Sequence, residues 1–155
     1  MIGIVGQGYV GKTINFFLND FYSNKNNDHT KIITYDKALE SKSNISCLKD
    51  LVKESKFIFV CVPTPSNTDN SCYTGIVEEV VSDINSFSIM FKKTCIVIIK
   101  STVPPGTTKM LDEKNKNIDV IFNPEFLREA SFLEDFKNQN RIILGGKKSA
   151  VNSVE

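Results

Sequence analysis

The sequence predicts an α/β fold, a doubly wound and mostly parallel sheet with helices on both faces. Three observations carry this. Short apolar runs alternate with stretches of helical pattern along all 155 residues, the order expected of successive βα units. The runs Phe57–Val62 and Cys95–Ile99 are apolar at every position rather than at every second one, the mark of strands covered on both faces. The first run, Ile2–Val5, passes directly into Gly6-Gln7-Gly8-Tyr9-Val10-Gly11, a G-x-G-x-x-G at a strand-to-helix junction.

Taken in order, the strands are expected at Ile2–Val5, Lys31–Tyr35, Phe57–Val62, Cys95–Ile99, Asp119–Phe122 and Arg141–Leu144. The helical stretches between them are Val10–Phe21, Leu48–Glu54, Gly75–Phe91, Gly106–Lys114 and Phe126–Phe136. Ser23–Thr30 and Pro63–Ser71 read as polar loops. No linker or internal repeat divides the chain, so residues 1–155 read as one domain. In a unit of this kind the strand ends at the first glycine and a helix begins over a bound pyrophosphate. Gly6 then allows the tight turn, Gly8 a close approach of backbone to phosphate, and Gly11 close packing of helix on strand. The helix N-terminus offers unpaired N–H groups and a positive dipole end. The expected ligand is a dinucleotide.

Ligands of open parallel sheets bind at the carboxyl ends of the strands, and the polar candidates gather there. Asp36 follows the second strand, where a carboxylate accepts hydrogen bonds from ribose hydroxyls and repels a 2′-phosphate; this favours NAD over NADP. The alternative is an exposed loop aspartate, and Lys37 beside it weakens the preference. Pro63-Thr64-Pro65 holds Thr64 towards the crevice, or is simply a rigid strand exit. Thr102, in Ser101-Thr102-Val103-Pro104-Pro105-Gly106, either caps the helix expected near Pro104 or meets the ligand, and the two are compatible. Asn123 suits an N-cap and Pro124 the first helical position. On that helix Glu125 and Glu129, four apart, share a face. They serve the helix dipole or, facing a crevice, handle protons.

Composition narrows the partners. Nineteen basic and eighteen acidic residues leave a net charge of +1, which gives no footprint for nucleic acid or an anionic membrane. No apolar run is long enough to cross a bilayer, and the N-terminus lacks a signal-peptide pattern. Cys47, Cys61, Cys72 and Cys95 show no C-x-x-C spacing and read as small buried hydrophobes in a reduced cytoplasm. The single histidine, His29, sits in the first polar loop away from any cysteine, so no metal site is expected.

Four blocks together resemble the UDP-glucose/GDP-mannose dehydrogenase family. They are Gly6-Gln7-Gly8-Tyr9-Val10-Gly11, Val62-Pro63-Thr64-Pro65, Lys100-Ser101-Thr102-Val103-Pro104-Pro105-Gly106-Thr107 and Asn123-Pro124-Glu125-Phe126-Leu127-Arg128-Glu129, in the family's order. Arg141-Ile142-Ile143-Leu144-Gly145-Gly146 fits its next strand. The resemblance implies a Rossmann-type NAD-binding domain. It also implies a cytosolic enzyme that oxidises the C6 alcohol of a nucleotide sugar, UDP-glucose foremost, to a carboxylate with two NAD, through a cysteine thioester. By that likeness Gly6, Gly8, Val10, Gly11, Asp36, Thr64, Thr102 and Glu129 contact NAD. Thr102 also places the reacting water, Glu125 is the general acid/base, and Glu129 a second carboxylate at nicotinamide and substrate. Glu125, Phe126, Leu127, Arg128 and Glu129 line the nucleotide sugar.

The chain departs from the family in what the blocks leave out. The family's nucleophilic cysteine lies in a later glycine- and phenylalanine-rich block, and none of the four cysteines here stands in that context. Its central helix and C-terminal UDP-binding domain are also unmatched, and Ala130 replaces a usual glycine or serine. The expectation is the NAD-binding half of such an enzyme, truncated or one piece of a split enzyme with a separate C-terminal half, or a homo-oligomer. The alternatives are a non-catalytic NAD-binding module or pseudoenzyme subunit, and a dehydrogenase of a small hydroxy acid.

Overall fold

A computed structural model describes residues 1–24 and 30–154; most of the first polar loop, His29 included, lies outside the described residues. The sheet has five strands, all parallel: β1 (Ile2–Val5), β2 (Ile32–Tyr35), β3 (Phe57–Val60), β4 (Ile96–Ile99) and β5 (Asp119–Phe122), in the order β2-β1-β3-β4-β5. Order reverses between β1 and β3, so their carboxyl ends flank the position where such sheets bind ligands.

The uninterrupted apolar runs are explained by two covered faces. Val5, Ile33, Ile58, Val60, Val97, Ile99 and Val120 pack under α2 (Leu48–Glu54), α3 (Gly75–Met90) and α4 (Thr107–Lys114). Ile2, Ile4, Ile32, Phe57 and Phe59 meet α1 (Tyr9–Ser23) and Phe136 of α5 (Phe132–Asn138). Ile96, Ile98 and Ile121 meet Ala150 of α6 (Lys148–Asn152). Ile4, Ile58, Ile99 and Ile121 are wholly buried, each contributing about 1.5–3 kcal/mol relative to exposure.

Arg141–Leu144 does not form the expected sixth strand. The segment runs antiparallel beside β5 but makes only the Phe122–Gly145 bridge, with Phe122 N–H to Gly145 O at 2.7 Å and Gly145 N–H to Phe122 O at 2.8 Å. The next hydrogen-bonded pair of an antiparallel ladder would be Pro124 with Ile143, and Pro124 has no N–H to give. The Asn123 side-chain amide donates to Ile143 O instead, at 2.8 Å. The ladder stops there, and Ile142 is left 73% exposed.

The helix expected over Phe126–Phe136 starts late. Asn123–Arg128 is irregular and ends in the extended Arg128, a 3-10 turn covers Glu129–Ser131, and α5 begins at Phe132. Pro124 biases Asn123 away from helix, and the Asn123 N–H continues the sheet by donating to Ile99 O. Asp135 then fixes the turn, its carboxylate accepting from the Arg128 backbone N–H, the Arg128 guanidinium and the Ser131 hydroxyl. Asn123 is therefore not an N-cap, Pro124 is not a first helical residue, and Glu125 and Glu129 do not share a helix face. Thr102 is not a cap either. The prolines enter a turn closed by Thr107 N–H to Pro104 O at 3.2 Å, and α4 begins only after Gly106, whose φ of 91° is in the left-handed region.

Candidate active site

The glycine loop has the geometry its sequence requires. Gly6 turns with φ 91° against the Cys61 carbonyl, and a side chain on Gly11 would collide with the Gly6 carbonyl oxygen. Around Gly8, by contrast, a Cβ would meet nothing within 4 Å. The α1 N-terminus opens at Gly8 with no side-chain cap and no acidic residue in its first turn, so its positive end faces open space. Uncapped helix N–H groups beside an unobstructed glycine backbone suit a phosphate group.

Asp36 is drawn to this loop. Its Oδ2 accepts from the Gln7 N–H at 2.6 Å, and its Oδ1 accepts from Ala38 N–H and Leu39 N–H, both at 2.8 Å. A shallow cleft lined by Tyr35, Asp36, Ser43 and Asn44 opens beside it. Asp36 is thus a built part of the β2 exit rather than a free loop aspartate.

A crevice of about 250 Å³ lies at the switch between β1 and β3. Gly8, Tyr9, Val10, Cys61, Thr64, Lys100, Ser101, Thr102 and Glu125 are among its lining residues. Sheet pairing carried past the strand ends brings them together. Lys100 N–H and Ser101 N–H both donate to Val60 O, and the Ser101 hydroxyl donates to Val62 O at 2.7 Å. These bonds lock the β3 and β4 exits side by side, so Thr64 and Thr102 share one wall.

The floor is charged. Lys100 Nζ stands 3.5 Å from Glu125 Oε2, with side chains 6% and 9% exposed, and donates to Asn123 Oδ1 at 3.2 Å. The contact with Glu125 is an ion pair rather than a full hydrogen bond, and Glu125 Oε2 has no hydrogen-bond partner. Burial pushes the Glu125 carboxyl up and the Lys100 ammonium down, each opposed by the other's charge. Burial, then the Glu125 carboxylate, pushes the Cys61 thiol up, so Cys61 is no thiolate nucleophile at neutral pH. At 4 Å, attraction is about 4 kcal/mol at an intermediate dielectric, against several kcal/mol per ion for desolvation. The pair gains the fold little.

The predicted site residues therefore divide. Gly8, Val10, Thr64, Thr102 and Glu125 line the crevice, Gly6 and Gly11 shape its loop, and Asp36 ties that loop to β2. Glu129 and Phe126 are exposed and do not line it; the Phe126 ring lies under the Arg141 guanidinium at 4.8 Å. Leu127 is half-buried outside it, and Arg128 is occupied by Asp135. Two residues escaped the sequence reading. Gln7 gives the backbone donor to Asp36, and Lys100 supplies the crevice's charge. Lys100 carried a signal: a lysine ending an entirely apolar strand is either exposed or paired in a site.

Among the described residues no three His, Cys, Asp or Glu lie together as a metal site, and no helix is long and apolar enough to cross a membrane. Cys61 and Cys95 are buried, and Cys47 and Cys72 are half-buried free thiols that hydrogen-bond Asp50 and the Thr102 carbonyl.

Residues 33–154 match the model of the UDP-glucose/GDP-mannose dehydrogenase family, NAD binding domain. The UDP-glucose 6-dehydrogenase of Campylobacter jejuni is 33% identical over 94% of this chain and 42% of its own length. That of Rickettsia bellii is 30% identical over 93% of this chain and 38% of its own length. The chain thus spans about two fifths of these relatives. Among solved structures, a UDP-glucose dehydrogenase from Pyrobaculum islandicum superposes on 99% of this chain and 42% of its own, with TM-score 0.79 and 24% identity. A GDP-mannose dehydrogenase from Pseudomonas aeruginosa gives TM-score 0.78 at 22% identity, again over 99% and 42%. These two likenesses establish the fold.

Proposed function

Because the chain belongs to the UDP-glucose/GDP-mannose dehydrogenase family and carries its NAD-binding domain, we propose that residues 1–155 form the cofactor end of a nucleotide-sugar 6-dehydrogenase. The reaction is oxidation of the C6 alcohol of UDP-glucose to UDP-glucuronate with two NAD. The observation that carries this is the placing of a buried carboxylate, Glu125, in the same crevice as the uncapped glycine-loop helix. UDP-glucose is preferred among nucleotide sugars because relatives matching over most of this chain are UDP-glucose 6-dehydrogenases.

In this reading the backbone of Gly6–Gly11 and the α1 N-terminus hold the pyrophosphate, and Asp36 reads the adenosine ribose. The Thr64 and Thr102 hydroxyls, on adjacent strand exits, orient the nicotinamide end. NAD, when bound, supplies the hydride acceptor. Glu125 takes and returns a proton at Oε2, the oxygen without a donor, and Thr102 helps to place the water. Glu129, Phe126, Leu127 and Arg128 stand away from the crevice in this structure, so their proposed roles at nicotinamide and sugar need the segment 123–131 to move when substrate binds. The family's covalent steps need a reactive cysteine; with Cys61 held as a thiol, that group is assigned to polypeptide outside residues 1–155, in the same chain or on a second one.

The test is titration of the chain with NAD, then a search for NADH with UDP-glucose, alone and with the remaining portion of a family dehydrogenase added. NAD binding that Gly8→Val abolishes, with turnover only after the addition, supports the proposal. An affinity for NAD that is absent, or unchanged by Gly8→Val, overturns it. NAD binding without turnover in either mixture leaves a non-catalytic NAD-binding module.

A further inference from the structure

Lys100 closes a wholly apolar strand and is 5% exposed, yet the proposed function gives it no task. Its ammonium sits in the wall shared by the crevice and a larger apolar groove lined by Phe17, Phe21, Phe59 and Phe136. A lysine so placed needs a reason, since burying an ammonium is costly unless it is paired.

The groups facing Glu125 are few. Cys61 comes from the β3 exit, Lys100 from the β4 exit, and α1 contributes Tyr9 at the rim. Of the described residues lining the crevice, Lys100 is the one cation. Glu125 Oε2 has no donor, and a buried carboxyl without donors or an opposite charge takes up a proton. Lys100 is itself aimed: the Asn123 amide gives its nitrogen to Ile143 O, which turns its oxygen to Lys100 Nζ.

We propose that Lys100 is the positioning residue of this crevice, its buried ammonium keeping the Glu125 carboxylate ionised and directed into the ligand space. The inference rests on the reading of that crevice as the NAD and substrate end. Arginine in its place preserves the charge. A neutral side chain of similar length leaves the carboxyl to protonate, and the crevice then loses its base near neutral pH.

The experiment is NMR of the chain with carbon-labelled glutamate and nitrogen-labelled lysine, titrated across pH, with NAD affinity measured over the same range. In the parent, Glu125 is ionised and Lys100 protonated at neutral pH. Lys100→Met raises the proton affinity of Glu125 at least tenfold and moves the inflection in the NAD-affinity profile with it, while Lys100→Arg restores both. Glu125→Gln lowers the proton affinity of Lys100 at least tenfold. A protonated Glu125 in the parent at neutral pH overturns the proposal. So does an unmoved titration in a folded Lys100→Met, or a NAD profile that ignores it. If Lys100→Met does not fold, the parent and Glu125→Gln decide. A parent that fails to bind NAD overturns the proposed function, and the titration itself is read without cofactor.

Discussion

The Asp36 carboxylate accepts the backbone N–H of Gln7 at 2.6 Å, which ties the end of β2 to the middle of the glycine loop. Sequence separation hides this contact, yet it explains how an acidic residue at the next strand is held beside the glycine turn. The same carboxylate takes two further N–H donors from Ala38 and Leu39, so its charge is fixed at the β2 exit, where the proposed function puts the adenosine ribose.

Asp36→Ala removes both the tether and the charge. A hydrogen bond to a charged group is worth about 1.5–3 kcal/mol, so NAD affinity should fall roughly tenfold to a hundredfold by calorimetry. NADP should lose less, because the repulsion of its 2′-phosphate is relieved. A variant that keeps the parent's ratio of NAD to NADP affinity would show that Asp36 does not read the ribose.

Two glycines of one motif should behave in opposite ways. Gly11→Ala drives a methyl group into the Gly6 carbonyl, and overpacking of that kind costs about 1–3 kcal/mol. At Gly8 a Cβ meets no protein atom within 4 Å and the residue is exposed, so Gly8→Val should cost less than about 1 kcal/mol in stability, the ordinary range of exposed substitutions being smaller still. It should nevertheless abolish NAD binding. Thermal melts paired with NAD titration separate the two, and equal destabilisation would contradict the open geometry at Gly8.

Much of this was legible because the strands are covered on both faces. Ile2–Val5, Asp119–Phe122 and Leu48–Glu54 stand in the structure as their periodicity predicts, since no other arrangement hides those side chains. The misreadings cluster at one residue, Pro124. Local rules place it at the start of a helix; the register of the Phe122–Gly145 bridge, carried on, would pair it with Ile143, and its missing N–H ends the ladder there. The helix and the sixth strand expected on either side both yield to the constraints of that proline. The site was half legible: the glycines and threonines carry backbone and exit chemistry that short motifs encode, whereas the Lys100–Glu125 pair joins two strand exits and exists only in the fold.

That pair should be costly to break and cheap to replace. Lys100→Met or Glu125→Leu alone takes the counter-charge from its partner, which must then stay charged or change protonation in a nearly dry floor, and should cost about 3–5 kcal/mol at neutral pH. Lys100→Met with Glu125→Leu removes both charges and should lie within about 1 kcal/mol of the parent, or above it. Denaturant melts of the three variants test this. Additive losses in the double variant would mean that each side chain stabilises the fold through packing instead.

The turn that follows the Glu125 segment is bonded by Asp135 through Arg128 and Ser131, and its acid response follows from the sign of one shift. The Arg128 guanidinium, then the Arg128 backbone N–H, hold the Asp135 carboxyl well below the usual carboxylate range. A folded value below the unfolded one, about 3.9, gives stability that is whole above the unfolded value and lost as pH falls through the folded one. The Arg128 amide, bonded to Asp135 Oδ2 at 2.8 Å, should therefore stay protected from hydrogen exchange at pH values where free aspartate is already protonated. Asp135→Asn keeps the shape without the charge, so protection should be weaker at neutral pH and flat through the acid range. If the parent instead loses protection at the pH where free aspartate titrates, the clamp is not ionic, and the non-helical course of residues 123–128 must be set by Pro124 alone.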